Sequence, residues 1–227
     1  MDQPLQRFDI SEMLREIREA EREKRTADFS GKLLPEFSFS KKEINTSLDF
    51  TGSTIQGAAY FYDCKIVGEI KFEKVLFYRT LYMSGTKVKD DLILKGCTVR
   101  ENLNFVSSRF FKNVILDEST IKGFIGLNKI RAKKNIDINY AIIKDIENQT
   151  GTIKGDIYIR ESEIKGSVNM EGIYAEGMAN LENSTICQDL NLRKAMFNGV
   201  VVLSGTVVEG NIETDEMKSQ KLIAHMV

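Results

Sequence analysis

The chain has 227 residues, 42% hydrophobic and 29% charged, a composition that builds a folded core rather than a disordered or fibrous chain. Lys and Arg number 32 against 33 Asp and Glu; the net charge of −1 argues against wholesale nucleic-acid binding, and equally against a strongly acidic DNA mimic. No apolar run approaches the ~18 residues of a membrane span. The start, MDQPLQRFDI, lacks a secretory pattern, and Cys64, Cys97 and Cys187 show no CxxC spacing. A reducing cytoplasm and no membrane partner are the expectation.

Residues 1–30 read as a helix and linker. Asp9-Ile-Ser-Glu12 has capping-box spacing, and Ile10, Met13, Leu14 and Ile17 mark one helical face. An amphipathic helix is predicted over residues 10–27, covering the N-terminal end of a repeat region. A lipid-binding helix is the rival reading, and its mixed charge does not favour an anionic membrane.

From Gly31 to Thr214 an 11-residue repeat dominates. Ile121-Lys-Gly-Phe-Ile-Gly-Leu127, Ile153-Lys-Gly-Asp-Ile-Tyr-Ile159 and Ile164-Lys-Gly-Ser-Val-Asn-Met170 share the pattern apolar-x-Gly-x-apolar-x-apolar. Steps of 11 run from Pro35 and Thr46 through Gly57, Gly68, Arg79, Asp90, Glu101, Lys112 and Gly123 to Lys134. One ten-residue step reaches Lys144, and steps of 11 resume through Gly155, Gly166, Gly177, Gln188 and Gly199 to Gly210. Two residues after each of these positions the column is apolar throughout, from Phe37, Leu48 and Ala59 to Val201 and Ile212. Two before, it is again apolar, from Leu33 and Ile44 to Phe197 and Val208. Four before sit mostly small residues, such as Ser53, Cys64, Thr86, Cys97, Ser108 and Ser119.

Alternate residues of a strand share a face, so each unit contributes short strand pieces with two inward side chains apiece. Inward gaps of 2, 4, 2 and 3 place a corner in the longer gaps. Gly suits the wider corner, through special backbone angles or a close chain approach. Two units close one four-sided coil of 22 residues. About eight coils at ~4.8 Å each make a rod on the order of 40 Å long. A helical reading of the same period fails, because Gly, Thr, Ile and Val are too frequent and the local spacing is 2.

These columns resemble the pentapeptide-repeat family, right-handed four-sided β-helices with a small residue and then Phe or Leu facing inward in every five. Ser184-Thr-Ile186 and Cys97-Thr-Val99 carry the small-x-apolar half. The chain departs from that family by one extra residue per ten, except around Ala141-Ile-Ile143-Lys-Asp-Ile146, where the spacing is 2, 3, 2. The resemblance implies the fold and little about function, since the family serves several. The G-x-I patterns are also similar to bactofilins, cytoskeletal β-helices with shorter coils. The fold expected is all-β, a right-handed four-sided β-solenoid of about eight coils with an N-terminal capping α-helix.

After Thr214 the pattern fades. Residues 215–227 end in Leu222-Ile223-Ala-His-Met226-Val227, a segment suited to cap the last coil or to form a homodimer across an otherwise exposed strand edge.

Chemistry is sparse. His225 is the single histidine, which speaks against a Ser-His-Asp triad or a His-based metal site. Cys64 and Cys97 sit in the inward column and read as core, on opposite walls. No phosphate-binding Gly loop occurs, and no cofactor is expected. Asp90, Asp91, Asp145, Asp156 and Asp189 suit corners as short polar residues. Two outward features stand out. Tyr60 and Tyr82, 22 residues apart, should stack beside Tyr62, Tyr78 and Arg79 as a partner surface. Lys89, Lys112, Lys133, Lys134 and Lys154 share one corner, with Arg100, Lys122, Lys144 and Lys165 on the opposite one. The first, and Lys112, Lys133, Lys134 and Lys154 above all, is a candidate anion-facing ridge, diluted by Asp91, Asp145 and Asp156.

The functional expectation is a non-enzymatic module for protein interaction or scaffolding. The alternatives are engagement of nucleic acid or a topoisomerase, which the charge balance disfavours, and end-to-end polymerisation, which the N-terminal helix disfavours.

Overall fold

The structure, a computed structural model, describes residues 6–224 apart from 145, 149, 150 and 154. Strand pieces of two or three residues alternate inward and outward side chains, and the chain turns a corner after each piece. It thereby visits four parallel walls in a fixed order. Wall one holds Lys32–Leu34, Thr54–Ile55 and their successors to Met196–Phe197. Wall two begins at Phe37–Ser38, wall three at Glu43–Ile44, and wall four at Ala27–Asp28. Walls one, two and four have nine strands and wall three has eight. Ile70 pairs with Leu48 below and Leu92 above, which sets 22 residues per coil.

The result is the right-handed four-sided β-solenoid that the columns predict, with about nine coils instead of eight. The difference arises at both ends. Ala27–Asp28 already pairs with Leu48–Asp49, and Lys221–Ile223 adds a last parallel strand beside Val200–Val202.

Inward residues fill the tube as one contiguous apolar core. Phe29, Phe50 and Phe72 stack coil upon coil with centroids 4.7 and 4.9 Å apart. Farther along, Leu92, Val114, Ile136, Val168 and Leu190 form an aliphatic column, all fully buried. Like residues stack because each coil repeats its neighbour's register.

The two kinds of corner divide the backbone demands. In the tighter one, the residue two after the second inward side chain is left-handed in coil after coil. It is Gly52, Gly85 or Gly96 in some units and Lys74, Ser107 or Asn183 in others, with φ between 54° and 73° in these six. The wider corner, where Gly recurs at the reference position, needs room rather than a left-handed angle. A Cβ on Gly68 would lie 2.4 Å from Ser47 N, and one on Gly199 2.7 Å from Gly177 O.

Three local expectations need correction. The ten-residue unit ending at Lys144 is not a shortened turn. Lys122 pairs with Lys144 at the normal spacing, but Ile125 pairs with Ile157 and Ile136 with Val168, each 32 apart. The extra ten residues fall between Lys144 and Gly155, where 146–148 runs antiparallel to 151–153 as a hairpin. The short unit lies instead at the first coil. There Leu33 pairs with Thr54, and Leu34, not Leu33, is the buried residue before the corner at Pro35.

The helix is the third case. It spans Ile10–Glu23 and stops short of 27 because Lys24 turns left-handed and the next strand starts at Ala27. Asp9 and Glu12 form the predicted capping box. Met13, Ile17 and Ala20 are buried and Leu14 is half-buried over the first coil, whereas Ile10 is exposed. Gln6–Arg7 pairs with Lys32–Leu33 on wall one, and from there the chain crosses the open end as helix. It then enters wall four. Glu21 accepts from Asn45 N at 2.7 Å, and Glu16 accepts from Arg25 and from Asp28 N, which ties the cap's wet side to the coil.

Candidate interaction surfaces

The hydrogen-bonding of the corners assigns most polar residues a structural task. At the corner from wall two to wall three, the small column donates to the carbonyl of the coil beneath. Cys64 Sγ donates to Phe39 O, Thr86 to Phe61 O, Ser108 to Met83 O, and Thr206 to Leu181 O. At the corner from wall three to wall four, Asp91 Oδ1 accepts from Asn113 N, Asn135 from Ser167 N, and Asp189 from Asn211 N. Asp156 does the same for Met178 N at the corner from wall one to wall two, and also accepts from Tyr158 OH at 2.6 Å. Burial first, then this acceptor, pushes the Tyr158 phenol up to about 12.

Asp91, Asp156 and Asp189 are therefore spread over two corners and engaged with backbone amides. Asp145 and His225 lie outside the described residues. Among the described residues no three His, Cys, Asp or Glu side chains converge to hold a metal ion. Cys64 and Cys97 are buried before walls three and one, which face each other, and burial pushes the Cys97 thiol up to about 12. Both read as core.

The tyrosine group divides. Tyr60 and Tyr82 lie on neighbouring coils of wall two with rings 5.1 Å apart and 2° from parallel. Tyr62 joins them at 5.7 Å from Tyr60 and 5.4 Å from Tyr82. All three are half-buried, and desolvation raises the phenol pKa of Tyr60 and Tyr62. Arg79 stands beside them, paired with Glu101 at 3.2 Å. Tyr78 is separate. It points from the corner after wall one, where Arg100 covers its ring at 4.1 Å.

The lysine ridge is rearranged by the hairpin, because ten inserted residues shift every later unit to the opposite corner from the one its sequence count implies. Lys112 and Lys134 share the corner from wall three to wall four, but Lys165 joins them there instead of standing opposite. Lys154 lies outside the described residues. Lys112 is held by Asp90 at 2.6 Å, and Lys133 lies 4.6 Å from the ring of Phe111. Of the carboxylates expected to dilute the ridge, Asp91 shares its corner, where it accepts from Asn113 N, and Asp156 sits at the far corner.

Leu222 and Ile223 of the dimerisation candidate are the last strand of wall two; Met226 and Val227 lie outside the described residues. Leu222 pairs with Val201, an inward position, yet is 43% exposed.

One pattern escapes any linear reading. Outward charge sorts by wall. Wall three shows Lys65, Lys87, Arg109 and Arg131 in direct register, whereas on wall four Asp49, Glu73, Asp117, Asp137 and Glu171 outnumber Lys71, Lys95 and Arg193. Wall one's outward column is uncharged from Thr54 through Leu76, Thr98, Thr120 and Ile142 to Met196. Wall two's is Ser, Tyr and Asn over its first four strands. The signal is present in the sequence at a spacing of 22, ahead of the hairpin, but it shows only when this outward column is read by itself.

No family model, curated protein or solved structure matches this chain. Among the described residues no helix is long and apolar enough to cross a membrane.

Proposed function

We propose that the chain is a non-enzymatic scaffold that presents the Tyr60, Tyr62 and Tyr82 patch of wall two to a protein partner. The observation that carries this reading is the mutual contact of three half-buried tyrosine rings on a flat parallel sheet, with Arg79 at their edge. Tyr and Arg are enriched among the residues that dominate interfaces; Tyr combines large area with few rotatable bonds and a polar tip, and Arg adds a planar fork of donors. Apart from the excursion between Lys144 and Gly155, coils of near-constant length support the non-enzymatic part. They offer no long loops to wall a cleft, and the corner carboxylates already cap backbone amides. The four-sided architecture supports kinship with pentapeptide-repeat proteins in shape, with an extra residue in each corner pair.

The test places a photoreactive residue in the cell at position 82 on wall two, 98 on wall one, 109 on wall three and 115 on wall four. A discrete protein adduct from position 82, lost when Tyr60 is also changed to Ala, is the expected result. No protein adduct from position 82 would overturn the reading.

The exposed Leu222 at an inward register favours a second reading, a homodimer joined at the C-terminal end. Analytical ultracentrifugation should then show a dimer that Leu222→Asp converts to monomer. A monomeric parent chain would remove it.

A further inference from the structure

We propose that wall three is a binding strip for the phosphodiester backbone of a single nucleic-acid strand, a role independent of the tyrosine patch on wall two. Lys65, Lys87, Arg109 and Arg131 pair directly across four successive strands. Parallel stacking therefore holds like charges about 4.8 Å apart at the backbone. Like charges set directly opposite destabilise a sheet. The two ends of the file are compensated, Lys65 by Glu43 at 2.5 Å and Arg131 by Glu163 at 3.8 Å. The middle is not. Among the described residues Lys87 and Arg109 have no carboxylate within ion-pair distance, and neither do Lys89, Lys133 and Lys134 alongside them.

The second outward column adds to the field. Lys89 and Lys133 flank the half-buried ring of Phe111 at 4.0 and 4.6 Å, so both ammonium groups are held over the same stretch as Arg109. Cation–π contacts position these lysines without neutralising them. A linear polyanion laid along the solenoid axis would meet four uncompensated cations on the wall itself, Lys87, Lys89, Arg109 and Lys133, over three coils. Acidic wall four lies beyond one corner, and at physiological salt charges more than ~8 Å away are largely screened. A strand narrower than the wall keeps clear of that acidic side. A flat anionic bilayer or a duplex would spread past the strip onto the corners that carry Asp63 and Asp90. The near-zero net charge does not bear on this, since it averages walls of opposite sign.

The test is fluorescence anisotropy of labelled oligothymidylate of about 20 nucleotides with the full chain. Binding in the micromolar range at low salt is expected, with log K falling against log[salt] at a slope of about −3 if four phosphates are engaged. Lys87→Glu/Arg109→Glu should weaken binding about tenfold or more, and Lys87→Gln/Arg109→Gln should weaken it less. The neutral variant also guards against a fold defect, and unfolding curves should match the parent. Lys122→Glu, on the far corner, should leave affinity within about twofold. No anisotropy change at about 100 μM protein, or equal affinity in the reversed variant, would overturn the proposal. So would tighter binding to duplex, polyglutamate or phosphatidylserine vesicles than to the single strand.

Discussion

Ser53 and Ser108 occupy the same position of the repeat, four before the corner, and are equally buried, yet their hydroxyls meet opposite fates. Ser108 lies in the corner from wall two to wall three and donates to Met83 O at 2.6 Å. Ser53, in the corner from wall four to wall one, has no partner for its Oγ. One coil on, that column carries Val75, which shows that the site accepts an apolar side chain. Ser108→Ala should cost about 1 kcal/mol in urea unfolding, whereas Ser53→Ala should be neutral or stabilising. Asp137 shows the same economy on the outside. Burial raises its pKa, against the bond it accepts from Asn169 at 2.5 Å, and Asp117 adds like charge. The folded state therefore holds this proton more tightly than the unfolded chain. Asp137 costs stability as pH rises from the ordinary carboxylate range through its raised value. Asp137→Asn should stabilise the fold at pH 7, an advantage that fades toward acid and is read from unfolding midpoints across that range.

At the scale of the element, the strands are too short to form alone and exist because the corners return the chain to register. Each corner has one fixed requirement. The tighter corner needs a left-handed residue, and at Gly52 nothing lies within 4 Å of an added Cβ, so Gly52 can be exchanged for Asn with little change in stability, within about 0.5 kcal/mol. The wider corner needs absence of bulk. At Gly199 a Cβ would lie 2.7 Å from Gly177 O, a backbone atom that cannot swing aside. Gly199→Ala should cost about 1–3 kcal/mol by thermal or chemical unfolding, despite its ordinary φ. The repeat pattern marks both corners but does not say which demand belongs to which. Gly is frequent in the wider one for space, and the tighter one tolerates Lys, Ser and Glu at left-handed angles because the coils on either side enforce them.

Across the whole molecule, nearest-neighbour coils carry the stability, so an excursion from one corner is tolerated if the chain returns to the same register. The hairpin after Lys144 meets that condition. Removing residues 145–154 joins Lys144 to Gly155 and restores the four-residue gap between buried Ile143 and Ile157. The shortened chain should fold with an unfolding midpoint within a few degrees of the parent, since a loop of this length costs on the order of 1 kcal/mol in closure entropy. A collapse of the cooperative transition would show that the hairpin supports the coils on either side.

The apolar columns alone are enough for the four-sided solenoid, the 22-residue coil and the helix over the first coil. Burial acts on side-chain periodicity, and this chain repeats its period with few exceptions. The capping box at Asp9 and the stacking of Tyr60 on Tyr82 were legible for the same reason, being local or one coil apart. Distribution between walls was not. Whether Ile146 continues the coil or leaves it depends on competing registers of equal hydrophobicity, and that choice moves Lys165, Asp156 and Asp189 to other corners. A balanced sum of charges is indifferent to where the chain folds them. Coil packing sets Lys65, Lys87, Arg109 and Arg131 on one wall and Asp49, Asp117 and Asp137 on the next, because parallel register turns a spacing along the chain into contact in space.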